Sequence, residues 1–322
     1  MRLASVLTPM SDENLMLAAQ CGVTDIVGRY PGPALDDLLA MQRRIEQFGM
    51  RMSVLEGYLP IENIKFGRDD GTELALMKTL VRNLGQIGVE ILCYNFMAGT
   101  DWVRTRLDVP ERGGAKVTAF DLRDAERAMN LGHDGSGAAQ LVDTQRVSAP
   151  DLWQRLEAFL RELVPVAEDA GVVLAMHPDD PPLDELFGKA RIMNNVANFE
   201  RLVNLAPSPS NAVCFCQGSF AEMGVDVCAA IRRLGPHIKY VHFRDVRGTA
   251  DSFAETFHDN GPTDMAAAMR AYREVGFEGP IRPDHVPQLY GEDDGEPGYT
   301  MKGRLFAFGY LRGLMQATEN AS

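Results

Sequence analysis

The chain has 322 residues, of which 45% are apolar and 24% are charged, as in an ordinary globular protein. It is long enough for one large domain or two average ones. Its net charge of −13 argues against a partner that must be bound through a cationic face, such as nucleic acid. That charge does not exclude a small anionic substrate, because a few local arginines can set the field inside a pocket.

The compartment is indicated by the cysteines and by the N-terminus. The five cysteines, at positions 21, 93, 214, 216 and 228, match neither a disulfide framework nor a structural zinc motif. Unpaired thiols are typical of a reducing compartment. The first residues, MRLASVLTPMSDENL, have too short an apolar run for a signal peptide, and no stretch approaches 18 apolar residues. We therefore expect a cytoplasmic protein that does not span a membrane.

Apolar runs typical of buried strands alternate with amphipathic stretches typical of helices along the whole chain. The predicted strands are Leu3–Leu7, Val23–Gly28, Met52–Glu56, Val89–Phe96, Val172–His177, Ala212–Cys216, Ile238–Phe243 and Pro280–Asp284. The predicted helices are Asp12–Gln20, Leu35–Phe48, Glu73–Ile87, Asp151–Ala170, Asn194–Leu205, Val225–Leu234, Thr263–Val275 and Met301–Met315. Eight strand–helix units in succession predict a single (β/α)8 TIM barrel over residues 1–322.

The main alternative is a doubly wound open sheet. Such a sheet usually carries a glycine-rich phosphate loop after its first strand. Here the first predicted strand is followed by Thr8, Pro9 and Met10. The absence of glycine from this turn favours the barrel.

One interval interrupts the alternation. Residues 97–150 separate the fourth predicted strand from its helix and include the segment GHDGSG at 132–137. Loops of this length in compact domains are usually functional. We interpret this insertion as an excursion over the barrel mouth that could act as a lid. Alternatively, the insertion has no function of its own, or it forms a contact between subunits.

The ends of the last four predicted strands carry residues that can bind a metal. Active sites of TIM barrels form at the C-terminal ends of the strands. Reading those ends in order gives His177, Cys216, His242 and Asp284. Each of them alone has an ordinary structural explanation, but four on consecutive strands predict one metal site.

Two cysteines lie on the sixth predicted strand. Cys214 and Cys216 point to the same face, because side chains alternate with period two. Cys216 is nearer the mouth, so we expect it to be the ligand. The other thiols, Cys21, Cys93 and Cys228, are interpreted as core. Two imidazoles, a thiolate and a carboxylate suit Fe²⁺, Co²⁺ or Zn²⁺ by ligand softness, and Mn²⁺ less naturally.

Basic and polar side chains surround these strand ends. Asp179 and Asp180 follow His177 and either orient a metal ligand or cap a turn. Arginines around a metal at a barrel mouth fit an anionic substrate such as a sugar acid. We predict that the substrate-binding residues are Asn95, Trp102, Arg104, Arg244 and Arg282.

Five segments resemble the mannonate dehydratase family. They are LEGYLPIENIK at 55–65, ILCYNFMAGTDWVRT at 91–105, MHPDDPP at 176–182, FCQGS at 215–219, and RPDH at 282–285 followed by GEPGY at 295–299. They occur in the family's order and span most of the chain.

The resemblance implies a metal-dependent TIM barrel of the xylose-isomerase-like type. It implies that the enzyme dehydrates D-mannonate to 2-dehydro-3-deoxy-D-gluconate with Mn²⁺ or Fe²⁺. The family's ligands correspond to the four residues named above, and its acid/base pair corresponds to His285 and Tyr299. The chain departs from the family after strand seven, at Asp245, and after RPDH, at Val286 and Pro287.

Two other functions remain open. The first is a divalent-metal-dependent sugar isomerase or epimerase on the same barrel, whose sites are typically rich in carboxylates, so Cys216 argues against it. The second is a sensor that binds a sugar acid without turnover. We expect a homo-oligomer, and for the leading function a small anionic sugar-acid substrate.

Overall fold

Eight parallel strands pair edge to edge and the first pairs with the last, so the sheet closes into a barrel. The structure is a computed structural model that describes residues 1–131 and 143–319. The GHDGSG segment at 132–137 lies outside the described residues. The barrel strands, numbered one to eight in chain order, are Arg2–Ser5, Asp25–Arg29, Arg51–Glu56, Ile91–Tyr94, Val173–Met176, Asn211–Cys216, Ile238–Phe243 and Pro280–Pro283. The predicted barrel is confirmed, and the alternative of a doubly wound open sheet is excluded.

Helices follow the barrel strands and cover the outside of the barrel. The long ones are Asp12–Gln20, Leu35–Glu46, Thr72–Ile87, Ala149–Ala170, Val196–Leu205, Val227–Leu234, Met265–Glu274 and Met301–Ala317. Their ends lie within two residues of the predicted ends. Two short helices, Glu62–Phe66 and Gln217–Glu222, were not predicted. Within the described ranges, no helix combines the length and the apolar character that crossing a membrane requires.

The helix Ala149–Ala170 shows why these segments fold locally. The Ser148 hydroxyl accepts a hydrogen bond from the backbone N–H of Asp151 and caps the first turn. Gly171 ends the helix with φ 67°, a left-handed conformation that glycine adopts without a steric penalty. The apolar face of the helix is buried along its length, so packing adds to these end signals.

Among the described residues, the barrel itself has two core layers. The larger layer fills the space between strands and helices, and Cys21 and Cys228 pack at its edge. The smaller one fills the inside of the barrel and contains Cys93, Cys214 and Tyr240. Because side chains fill the barrel's interior, the room for a ligand lies at its mouth.

The segment 97–150 is more ordered than the predicted loop. Within its described part, Arg106–Pro110 and Lys116–Asp121 pair as antiparallel strands. The second of these pairs with Ser252–Glu255, which forms a hairpin with Val246–Thr249 after barrel strand seven. The result is a four-stranded sheet built from two distant loops. A separate short pair joins Val103–Arg104 to Met129–Asn130.

Candidate active site

The barrel mouth brings together the four predicted metal ligands. Strand six ends at Cys216, and His242 is the residue before the last of strand seven. His177 and Asp284 directly follow strands five and eight. Cys216 pairs with His242 in the parallel register, and His242 pairs with Arg282, two residues before Asp284. The four side chains therefore all start at the mouth end of their strands.

The donor atoms of His177, Cys216 and His242 all lie within 4.8 Å of one another, and Asp284 lies close to two of them. His177 Nε2 lies 3.2 Å from His242 Nδ1, and Cys216 Sγ lies 3.6 Å from Asp284 Oδ2. The same Asp284 oxygen is 3.8 Å from His242 Nδ1. Ligand bonds of about 2.0–2.3 Å around a tetrahedral ion place neighbouring donors roughly 3.3–3.8 Å apart. The spacing and the donor types therefore fit a divalent cation.

The structure distinguishes the two cysteines of strand six. Cys216 groups with His177 and His242, whereas Cys214 groups with Cys93 and His242 deeper in the barrel. Burial raises the pKa of Cys214 well above its usual value, which disfavours the thiolate that a metal requires. The geometry therefore favours Cys216 as the thiol that could bind an ion.

A cavity of about 320 Å³ opens beside these residues, within the size range of small-molecule sites. Cys216 lies behind its wall and is fully buried. The predicted site residues that line the cavity are His177, His242, Asp284, His285, Tyr299, Asn95, Trp102 and Arg282.

Trp102 packs against both of the predicted acid/base residues, His285 and Tyr299. The Trp102 indole stacks on His285, with ring centroids 4.1 Å apart and planes inclined by 27°. Tyr299 meets both rings edge-on, at centroid distances of 5.9 Å and 5.5 Å. Trp102 belongs to the insertion after strand four, so this segment supplies part of the cavity wall.

Two predicted substrate-binding arginines do not reach the cavity. Arg104 donates to Asp180 and to Glu255, in each case at 2.5 Å. Arg244 donates to Asp284 Oδ2 at 2.9 Å and also binds Asp180 and Glu255. Burial would raise the pKa of Asp180, but the two arginines lower it below its ordinary value. Both guanidinium groups therefore bind buried carboxylates of the protein, and direct contact with a substrate is not the role that the geometry gives them.

Residues 10–322 match the sequence model of a family described as D-mannonate dehydratase (UxuA). The chain belongs to the D-mannonate dehydratase family. Mannonate dehydratase 2 of Halalkalibacterium halodurans is 34% identical over 304 residues, which cover 88% of each protein. The predicted resemblance is confirmed.

Solved structures agree with this family membership. The mannonate dehydratase from Streptococcus suis serotype 2 covers 100% of this chain and 95% of its own, with 30% identity and a TM-score of 0.88. A xylose isomerase domain protein from Planctomyces limnophilus covers 99% of this chain and 98% of its own, with 13% identity and a TM-score of 0.64. The second likeness shows the fold alone.

In this dehydratase-family chain, Glu255 is a site residue that the sequence analysis missed. His285 Nδ1 lies 2.9 Å from Glu255 Oε1. Burial would raise the pKa of Glu255, but Arg244, His285 and Arg104 lower it below its usual range. The ionised carboxylate can only accept, so Nδ1 donates the hydrogen bond, and in the neutral imidazole Nε2 is the nitrogen without a proton. The segment FAETFHD at 253–259 carries this residue, but its partner lies 30 positions away.

Glu56 is the second missed residue in this member of the family. It ends strand three and accepts hydrogen bonds from Tyr240 Oη and Arg282 Nη2, both at 2.8 Å. Its Oε2 also lies 3.2 Å from His242 Nε2, which leaves Nδ1 to face the other possible ligands. Reading strand ends in the first half of the barrel as well as the second would have found it.

Proposed function

We propose that this chain is a divalent-metal-dependent hydro-lyase that converts D-mannonate to 2-dehydro-3-deoxy-D-gluconate. The observation that carries the proposal is the presence of three ligand-type side chains, His177, His242 and Asp284, on the wall of the cavity that His285 and Tyr299 also line. The fourth, Cys216, lies behind that wall, with Sγ 3.6 Å from Asp284. The named relatives support it through their own activity on mannonate.

We assign the metal to His177, Cys216, His242 and Asp284, and its identity to Mn²⁺ or Fe²⁺. A bound divalent cation supplies Lewis-acid stabilisation of the negative charge that develops on the substrate. The protein holds the metal-binding side chains in a fixed orientation. Glu56 orients His242, and Arg244 together with Arg282 holds Asp284 at 2.9 Å and 2.8 Å.

The reaction breaks two bonds of the substrate. The C2–H bond breaks when a base takes the proton, and the C3–O bond breaks when the leaving hydroxyl accepts a proton and departs as water. The resulting enol then takes a proton at C3 and becomes the 2-keto-3-deoxy acid. One base and one acid are needed in the first stage.

We assign the base to His285 and the acid to Tyr299. The carboxylate of Glu255 holds Nδ1–H of His285, so Nε2 is free to accept a proton. Burial raises the pKa of Tyr299 to about 12, with Asp284 adding to the shift and Arg29 opposing it. The phenol therefore keeps its proton near neutral pH and can give it to the leaving oxygen.

The other wall residues position the substrate in this proposal. Trp102 offers an apolar face to the carbon chain, and Asn95 offers an amide that already donates to Asp101. Arg282 contributes positive charge beneath the substrate. Its donors are occupied by Tyr240 and by carboxylates of the protein, so we assign it to the electrostatics of the site.

The decisive experiment incubates the metal-loaded protein with a panel of aldonic acids and measures 2-keto-3-deoxy products. We expect D-mannonate to be dehydrated fastest. If no aldonate is dehydrated while an aldose and its ketose are interconverted, the protein is a sugar isomerase. Binding of an aldonate without any turnover would instead make it a sensor.

We also propose a cytoplasmic location and a homo-oligomeric state. The five free thiols are compatible with a reducing compartment. Light scattering of the purified protein measures the oligomeric state directly, and a monomer would contradict the second part.

A further inference from the structure

A cavity that binds a sugar acid needs a partner for the substrate's negative charge. Within residues 1–131 and 143–319, its wall carries three cationic side chains, Arg29, Lys65 and Arg282. Six acidic side chains line the same wall, Glu56, Glu62, Asp101, Asp180, Asp284 and Glu296. The charge of a free carboxylate must therefore be balanced locally, and the donors of each cation decide which one can do so.

Two of the three cations are already occupied. Arg282 donates from Nε to Tyr240 at 2.7 Å, from Nη1 to Asp284 and from Nη2 to Glu56, each of these two at 2.8 Å. Lys65 has three hydrogens to donate. Lys65 Nζ donates to Glu62 Oε1 at 2.6 Å, to Asn95 Oδ1 at 3.0 Å and to the carbonyl oxygen of residue 97 at 3.2 Å. Neither side chain can turn to a ligand without abandoning a buried partner.

Arg29 is different, because its donors are nearly all free. This residue ends barrel strand two, and its side chain is 30% exposed on the cavity side. Its one hydrogen bond within the described residues runs from Nη1 to Glu56 Oε1 and is long, at 3.5 Å. A guanidinium has five N–H donors in a planar fork that matches a carboxylate. Most of that fork therefore faces the cavity without a protein acceptor.

The surroundings hold the Arg29 guanidinium in one place. Its Cζ lies 5.5 Å from the ring centroid of Tyr58 and 5.6 Å from that of Tyr299. Gly57 lies beside it with φ 83°, and a Cβ built at this position would stand only 2.7 Å from Nη1. Tyr58, the next residue, also adopts a left-handed conformation, with φ 58°. Non-glycine residues with such backbone conformations cluster at functional sites.

We propose that Arg29 binds the carboxylate of the substrate and makes the site select acids over neutral sugars. Glu56 fixes the geometry, because one carboxylate contacts Arg29, Arg282 and His242. A carboxylate held by Arg29 lies beside Tyr299, whose ring centroid is 5.6 Å from the Arg29 Cζ. The inference rests on the proposed function for the identity of the acid, but not for the presence of a carboxylate site.

The test uses two ligands that differ in a single charge. The first is the 3-deoxy analogue of D-mannonate, which lacks the leaving hydroxyl, and the second is its primary amide. Calorimetry measures their binding to the metal-loaded wild type, to Arg29→Gln and to Arg29→Lys. Arg161→Gln is the matched control, because Arg161 is a 72% exposed surface residue paired with Glu157.

We expect Arg29→Gln to weaken binding of the acid by roughly 10–100-fold, the scale of a lost charge-assisted hydrogen bond, and to change binding of the amide by less than about threefold. Arg29→Lys should lose less than Arg29→Gln, because it keeps the charge without the fork. Arg161→Gln should bind both ligands as the wild type does. Metal content and thermal midpoint are measured for every variant.

Three outcomes overturn the proposal. Arg29→Gln could bind the acid as tightly as the wild type, it could lose acid and amide equally, or the wild type could bind neither ligand. Failure of the proposed function has a different signature. If the wild type dehydrates no aldonate yet binds the acid in an Arg29-dependent manner, the dehydratase assignment fails and the carboxylate site stands.

Discussion

The hydrogen bond between Glu255 and His285 determines which imidazole nitrogen can act as a base. Glu255→Gln keeps the shape of the side chain but offers an amide that can donate to Nδ1 and reverse the tautomer. We expect kcat to fall roughly 10²–10⁴-fold, the range for loss of general acid–base catalysis.

Glu222→Gln is the matched control for this experiment. Glu222 lies in the same buried network, where it accepts from Arg244 Nη1 at 2.9 Å. Burial raises the pKa of Glu222 well above its usual value and so disfavours the charged form, which makes the amide a close substitute. Identical kinetics for the two variants would show that Glu255 does not act through His285.

A single substitution can separate the proposed role of the Tyr299 hydroxyl in proton transfer from the packing of its ring. Tyr299→Phe keeps the ring against Trp102 and His285 but removes the proton. We expect kcat to fall roughly 10²–10⁴-fold with little change in KM. Because its pKa is about 12, the loss should be uniform from pH 6 to pH 9. Turnover close to that of the wild type, with metal bound, would make Tyr299 a packing residue.

The two thiols of strand six provide an internal comparison for metal binding. Cys216 Sγ lies 3.6 Å from Asp284, whereas Cys214 lies in the packed interior with Cys93. Cys216→Ser should lose most of its metal during dialysis, and Cys214→Ser should retain it. Elemental analysis of the purified variants measures both. Equal metal content would mean that the thiol of Cys216 does not bind the ion.

Among the elements, those with a regular apolar period could be predicted from the sequence and the irregular ones could not. The barrel strands are continuous apolar runs, and their helices carry clear start and stop signals, so their ends fall within two residues of the prediction. The hairpin of Val246–Thr249 and Ser252–Glu255 has short strands, and the second pairs with a strand more than 130 positions earlier. Nothing local in VRGT or SFAE indicates that partner.

The same limit applies to the site. The four proposed metal ligands could be brought together from the sequence because each one lies at or next to the end of a barrel strand, and strand ends of a closed barrel meet. The sequence placed Arg104 and Arg244 near the mouth but gave no indication of the carboxylates that they bind. Their partners, Asp180 and Glu255, come from different loops, and only the folded chain shows that these carboxylates already satisfy both arginines.

Two glycines test how backbone conformation stabilises the helices. Gly171 has φ 67° at a helix end, whereas Gly309 lies inside the helix Met301–Ala317, and a Cβ at either position meets no atom within 4 Å. Gly171→Ala should destabilise the protein by about 1 kcal/mol because alanine is strained in that conformation. Gly309→Ala should stabilise it by roughly 0.5–1 kcal/mol. The urea midpoint measures both, and shifts of the same sign would contradict the explanation.

At the scale of the whole molecule, metal binding and folding are coupled. The proposed ligands come from four strands of the closed barrel, so an ion bound there stabilises the folded state alone. Ligand at 100 times its dissociation constant adds about 2.7 kcal/mol to the free energy of unfolding. Chelation should therefore lower the thermal midpoint and abolish turnover, and Mn²⁺ or Fe²⁺ should restore both. His177→Ala should show no midpoint shift on chelation. Full activity after complete demetallation would contradict the metal site.

The four-stranded sheet beside the mouth also limits how the enzyme can be recombined. Its strands come from the loop after strand four and the loop after strand seven, and Arg104 of the first loop binds Glu255 of the second. Thr118 of the first loop accepts from Arg104 Nε at 3.3 Å. A chimera that takes one loop from a relative therefore combines two loops whose contacting residues do not match. We expect single-loop exchanges to misplace His285, whereas exchange of both loops together should preserve turnover.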